Sequence, residues 1–225
     1  MQNKVIVVTG AFGVLGSAVV DRAQAVGARV VRIDYASPPA NLRSDPLVLG
    51  GVDLTKPEAA QDAMQRARDA AGRIDALLNI AGGFTWRTLA GDDCATWDMM
   101  YAINLKTAVN ASKAALPHLI EAGGAIVNVG AFGALKAGAG FGPYAASKAG
   151  VHKLTESLAE ELKGKVRVNA VLPSTLDTEQ NRRDMPNADP SKWVRPDDLA
   201  KVMLFLASED ARAITGALVP VTGQV

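Results

Sequence analysis

Short apolar runs rich in β-branched residues alternate along this chain with segments of helical period. The runs over 5–8, 29–33, 47–52, 74–79, 125–129, 166–171 and 218–221 read as strands. The first six are apolar with little alternation, the pattern of strands buried on both faces of a parallel sheet. Between them, 15–25, 57–71, 95–119, 144–162 and 196–207 carry helical periodicity. Pro57 and Pro196 stand at first-turn positions, where a missing N–H costs nothing, and residues 53–55 and 195–198 supply polar entries. Strands alternating with helices predict an α/β fold: an open, doubly wound, mainly parallel sheet of about seven strands with helices on both faces.

Two stretches break the alternation. Residues 130–142 hold five glycines in thirteen positions, with Lys136 the one polar side chain. Residues 173–195 are long and polar, with Pro173, Pro186 and Pro190, and a loop of this length inside a compact domain is read as a mobile flap over a site. No internal repeat and no linker divides the chain, so a single domain over 1–225 is expected.

Composition narrows the partners. At 48% hydrophobic and 21% charged residues, the chain can bury a sizeable core. Its 24 Lys and Arg against 23 Asp and Glu leave a net charge of +1. That balance lacks the basic footprint of a nucleic-acid binder and the polybasic cluster of a membrane-surface protein. No apolar run approaches the ~18 residues of a membrane span, and the chain opens on an apolar strand, not a leader-like segment. Cys94 is the single cysteine, and His118 and His152 lie 34 residues apart, so neither a disulfide nor a metal-ligand spacing is present. A reduced, cytoplasmic protein acting on a small molecule, with no metal, nucleic acid or membrane partner, is the expectation.

The turn after the first strand reads Thr9-Gly10-Ala11-Phe12-Gly13-Val14-Leu15-Gly16. Glycines at Gly10, Gly13 and Gly16 allow a tight turn, and let the backbone of Phe12, Val14 and Leu15 approach a pyrophosphate at a helix N-terminus. Alone, the motif also fits a glycine-rich turn with no ligand; its place between an apolar strand and a helix favours dinucleotide binding. Asp34 ends the second strand 18 residues after Gly16, close to the ~20 expected of the acid that accepts from a ribose diol, and Tyr35 follows it. A carboxylate there repels a 2′-phosphate, so NAD(H) is favoured, while Arg32 and Arg43 would leave NADP(H) a way in. Asp53 and Leu54 would meet the adenine edge, and Asn79, Ala81 and Gly82 would let the coenzyme approach the fourth strand.

Tyr144 and Lys148 are four residues apart, hence on one helical face. A phenol of pKa ~10 is a poor proton carrier at neutral pH, and a fixed cation beside it favours the phenolate. With the glycine turn, Asp34, Asn79-Ile80-Ala81-Gly82, Asn104, Pro173, Thr178 and the closing Ile214-Thr215-Gly216, this pair resembles the short-chain dehydrogenase/reductase family over essentially the whole chain. The resemblance implies a Rossmann-type fold, Tyr144 as proton donor and Lys148 as holder of the nicotinamide ribose. It further implies Asn104 as the residue holding a water in the proton relay, Pro173, Thr175 and Thr178 over the coenzyme, and a homodimer or homotetramer built on the two long helices.

Two departures bear on the substrate. The family's second glycine usually falls one place later, where this chain has Val14, and the carbonyl-polarising serine thirteen residues before the tyrosine is Ala131. No Ser or Thr occurs from 130 to 143. Quinonoid dihydropteridine reductases, one branch of the family, resemble this chain in both departures and in the flap, at Asn181 and Trp193 among others. By that resemblance the acceptor is a planar quinonoid or pterin-like ring, reduced by NADH, with Trp86 stacking on it and Ala131, Asn181 and Trp193 around it. A generic short-chain ketone or alcohol oxidoreductase is the runner-up. A noncatalytic NAD(H) sensor is disfavoured, because a sensor has no use for Asn104, Tyr144 and Lys148.

Overall fold

The computed structural model describes residues 1–91 and 94–224. Seven parallel strands form one sheet: β1 Val5–Thr9, β2 Arg29–Ile33, β3 Val48–Leu49, β4 Ala76–Asn79, β5 Ala125–Val129, β6 Arg167–Pro173 and β7 Leu218–Val221, in the order β3-β2-β1-β4-β5-β6-β7. β1 lies between β2 and β4, with Val5 opposite Arg29 and Ile6 opposite Ala76. The order reverses there, which makes the carboxyl ends of β1 and β4 the expected ligand crevice.

The continuous apolar runs have a direct cause in the packing. Val5, Val7, Leu77 and Ile126 face one core with α2 (Pro57–Ala71), α4 (Thr107–Ala122) and α5 (Gly142–Glu161). Ile6, Val8, Leu78 and Val127 face a second core with α1 (Val14–Ala25) and α7 (Pro196–Ala207). Successive strand residues therefore serve opposite faces, and both must be apolar.

Three expected elements come out differently. The strand over 47–52 shrinks to Val48–Leu49 at the sheet edge, where Gly51 adopts φ 72° and turns the chain away. The fourth strand starts two residues late because Asp75 faces the sheet end, accepting the Val5 N–H at 2.9 Å and pairing with Arg73 at 2.6 Å. The helix over 95–119 is three pieces: α3 Ala95–Met100, a π-helical segment Tyr101–Lys106, and α4. A hydrophobic pattern cannot distinguish an α from a π turn, and π segments gather at functional sites.

The flap is folded over much of its length. Thr178 caps α6 (Glu179–Asp184), its hydroxyl accepting the Asn181 N–H at 3.1 Å. Leu176 and Val194 form a parallel bridge, with the Asp177 N–H donating to the Val194 carbonyl at 2.8 Å and the Val194 N–H to that of Thr175 at 2.9 Å. The two ends of the loop are thereby tied together.

Candidate active site

A cleft of about 840 Å³ opens at the carboxyl ends of β1 and β4. The glycine turn forms its floor. Gly10 adopts φ 63°, and a Cβ there would lie 2.8 Å from the Ala81 nitrogen, so only glycine lets the turns after β1 and β4 touch. A Cβ on Gly16 would run into the Gly10 carbonyl, while one on Gly13 would meet that oxygen at 3.4 Å, an ordinary contact. Gly13 is the N-cap of α1 and offers no side-chain cap, which leaves the first N–H groups of the helix facing the cleft for an anion.

Asp34 is fixed at the end of β2. One carboxylate oxygen accepts the Phe12 N–H at 2.8 Å and the other accepts the Ala36 N–H at 2.9 Å. Tyr35 beside it is largely exposed. Arg32 turns away, donating to the Gln24 Oε1 at 3.2 Å. Asp53 accepts the Thr55 hydroxyl at 2.6 Å and N–H at 3.0 Å, and the hydroxyl bond foremost holds its pKa below the usual carboxylate value. Gly10, Asp34, Tyr35, Asp53 and Leu54 all line the cleft.

Behind its other end, Asn104 projects from the π segment, is 1% exposed and does not itself line the cleft, although the sequence placed it in the proton relay. Its Oδ1 accepts the Gly83 N–H at 2.9 Å, and its Nδ2 donates to the Gly83 carbonyl at 3.1 Å and the Ser147 hydroxyl at 3.0 Å. A Cβ on Gly82 would collide with Asn104 Oδ1. The asparagine clamps the turn after β4 onto α5. On α5, the buried Lys148 ammonium donates to the Val129 carbonyl at 2.8 Å. The Tyr144 ring stands edge-on to Phe84, with centroids 5.0 Å apart and planes at 80°, and to Phe141 at 6.4 Å. Phe84 remains 54% exposed.

The proton balance differs from the sequence expectation. Burial pushes the Tyr144 phenol up to about 12 and brings Lys148 down to about 8. Burial alone sets the direction for the phenol, and the Lys148 ammonium gives one of its N–H groups to the Val129 carbonyl. At neutral pH the phenol keeps its proton and the lysine most of its charge. That is the protonation that a proton donor to a reduced substrate would need.

A glycine turn opening a helix, a strand-end carboxylate and a phenol with a cation one helical turn away share one cleft. The family model for short chain dehydrogenases matches residues 4–189. This chain belongs to that family. Meso-2,3-butanediol dehydrogenase of Serratia marcescens is 34% identical over 236 residues, covering 99% of this chain and 94% of the relative. A 7alpha-hydroxysteroid dehydrogenase of Bacteroides fragilis is 31% identical over 243 residues, covering 99% and 94%. The crystal structure of carveol dehydrogenase from Mycobacterium avium in complex with NAD matches with a TM-score of 0.87 at 29% identity, covering 99% and 97%. This short-chain dehydrogenase is therefore an NAD(P)-dependent oxidoreductase. When bound, the nicotinamide coenzyme supplies or accepts the hydride; Lys148, Asp34 and the glycine turn line the cleft and are the residues that would hold it.

Several expected site residues lie outside this cleft. Asn79 is buried behind it, donating to the Ser112 hydroxyl at 3.0 Å and to Asn128 Oδ1 at 2.8 Å, and so braces β4 instead of meeting a ligand. Pro173 ends β6 and Thr175 belongs to the flap base. Thr178 is occupied as the α6 cap, and the Asn181 side chain donates to the Leu176 carbonyl at 2.8 Å. Trp193 is 6% exposed, packed under the flap instead of facing a substrate. Trp86 lies on Gly140 with its indole N–H donated to the Ala139 carbonyl at 3.0 Å, which ties the strand-four turn to the glycine-rich loop. Ala131 is 3% exposed and presents only a methyl group. Conversely, the cleft includes Phe84, Ile103, Thr107 and Leu176, which sequence reasoning passed over. Thr107, three residues beyond Asn104, carried a usable signal in its helical spacing; the others are brought in by the fold.

Among the described residues, no helix is long and apolar enough to cross a membrane.

Proposed function

We propose that this chain is an NADH-dependent reductase of planar, conjugated acceptors of the quinonoid or pterin type, with residues 1–225 acting as one domain. Ala131 carries the reading. The family's hydroxyl donor to a substrate carbonyl would stand there, yet the residue is a buried alanine whose N–H is already given to His152 Nε2 at 3.2 Å. Losing one such donor costs ~10²–10³ in rate for a substrate that must be polarised. An electron-poor conjugated ring accepts hydride without that help. The exposed face of Phe84 beside Tyr144 supports a flat partner, because aromatic faces favour offset or edge-on contact with other rings. When bound, NADH would supply the hydride to the acceptor ring and become NAD⁺, and the Tyr144 hydroxyl would deliver the accompanying proton to the reduced acceptor. Lys148 holds the ribose and balances the phenolate that remains. A homodimer or homotetramer associating through α4 and α5 belongs to the same reading.

A second reading, oxidation of alcohols or reduction of ketones, is favoured by the relatives, whose names describe butanediol, hydroxysteroid and carveol dehydrogenases. Ala131→Ser separates the two. If the acceptor is quinonoid, the serine leaves kcat/KM for it nearly unchanged while raising a weak ketone activity. A wild type already efficient with ketones, and unimproved by serine, supports the second reading instead.

Coenzyme choice follows from Asp34. Its two oxygens are fixed by backbone N–H groups and it lines the cleft, and neither Arg32 nor Arg43 pairs with it. NADH is expected to bind more tightly than NADPH, by roughly 1–3 kcal/mol. Calorimetric titration giving equal or tighter NADPH binding would refute the assignment.

A further inference from the structure

Two side chains of α5, one helical turn apart, grip the end of β5. Lys148 donates its ammonium to the Val129 carbonyl at 2.8 Å, and His152 accepts the Ala131 N–H on Nε2 at 3.2 Å. His152 is 4% exposed, and its ring lies against Gly130, where a Cβ would sit 2.5 Å from Nε2 and 3.3 Å from Leu172 Cδ1. A backbone N–H can only donate, so Nε2 must carry a lone pair and the ring proton must sit on Nδ1. Ala131 itself has no polar side chain with which to anchor this segment, whose neighbour Val129 lines the cleft beside Tyr144 and Lys148.

We propose that neutral His152 is a positioning residue that holds the 129–131 segment in its working place against the cleft, and that protonating it releases that segment. The inference rests on the assignment of Tyr144 and Lys148 as the reacting pair, but not on the identity of the acceptor. A protonated imidazole has no lone pair left for the Ala131 N–H, and would face that donor with a second one at a buried position.

The surroundings set the direction. Burial foremost, and then the Lys148 charge, hold the His152 pKa below its ordinary value of 6.5; Glu156 acts in the opposite sense and Lys153 in the same one. All three charged groups are on α5. The groups that β5 and β6 bring against the ring, at Gly130, Ala131 and Leu172, do not titrate. Because the neutral form makes the bond and its pKa is depressed, the bond is intact at neutral pH and lost as pH falls through a value below 6.5.

The test needs no variant to begin. ¹⁵N NMR of the wild-type chain with labelled histidine should show His152 with an unprotonated Nε2 and a protonated Nδ1. The Ala131 amide should shift with the same titration midpoint, below 6.5. A protonated Nε2 at neutral pH, or an Ala131 amide indifferent to the titration, would overturn the proposal. Two variants then connect the bond to turnover, measured with NADH and the faster of a simple quinone and a 1,2-diketone. His152→Gln offers an amide oxygen that accepts without titrating, so kcat/KM at neutral pH should be largely kept while the acid fall-off disappears. His152→Leu should lower kcat/KM roughly five- to tenfold at every pH, the loss of one buried hydrogen bond. An acid limb retained in His152→Gln, or wild-type activity in His152→Leu, contradicts the assignment. Absence of quinone turnover would count against the proposed acceptor alone and leave the NMR outcome standing.

Discussion

Tyr144→Phe is expected to lower turnover by about 10²–10⁴-fold, the usual range for removing a positioned acid, with NADH affinity nearly unchanged. The variant keeps the ring, and with it the edge-on contacts to Phe84 and Phe141, so the walls of the cleft stay in place. Only the proton is removed. In the wild type, burial holds that proton on the phenol well above neutral pH, at about 12, which suits donation to a newly reduced substrate better than abstraction from an alcohol. Lys148→Ala should damage both turnover and coenzyme affinity. Its ammonium is buried on α5, one helical turn along from Tyr144, and it also ties α5 to the Val129 carbonyl. Product release can mask a loss in the chemical step, so single-turnover NADH oxidation is the measurement of choice. Wild-type single-turnover rates in Tyr144→Phe would remove Tyr144 from the chemistry.

Gly16→Ala is expected to weaken NADH binding roughly tenfold to a hundredfold, which corresponds to about 1.4–2.7 kcal/mol, and to lower stability by ~1–3 kcal/mol. Its Cβ would collide with the Gly10 carbonyl and lie 2.8 Å from the Ala11 Cα. Both obstacles are backbone of the turn itself, so relief requires the turn to open, and the opened turn no longer aims its N–H groups at the phosphates. Gly13→Ala is the internal control. Its Cβ meets only the Gly10 carbonyl, at 3.4 Å, and should cost far less in stability. Fluorescence titration with NADH and thermal unfolding of both variants measure the difference. Equal behaviour of the two would mean that the turn tolerates what its geometry forbids.

What the sequence made legible was local. Gly10, Gly13, Gly16 and Asp34 were readable because the turn, the helix start and the strand end follow one another within a single βαβ unit, where spacing along the chain fixes spacing in the fold. Tyr144 and Lys148 were readable for the same reason, at four residues on one helix. The strand runs could be placed because each strand packs two cores. The π segment around Asn104 was hidden, since its side-chain pattern matches an α-helix. Phe84 and Leu176 reach the cleft only through the way the turn after β4 and the flap fold back. Trp193 and Asn181 were expected beside a substrate from resemblance, yet the flap folds on itself and spends them on its own packing and hydrogen bonds. The tie between His152 and Ala131 joins residues 21 apart across two elements, and no periodicity reports it.

The central claim is that a cleft lacking the hydroxyl at Ala131 reduces acceptors that need no polarisation. The most direct test is kcat/KM of the wild-type chain, at saturating NADH, for quinonoid dihydropterin, a simple quinone and a panel of small ketones. Quinonoid acceptors should be reduced faster than any ketone by about 10²–10³-fold, the contribution of the absent donor. Efficient ketone reduction with no response to the quinonoid compounds would contradict the account.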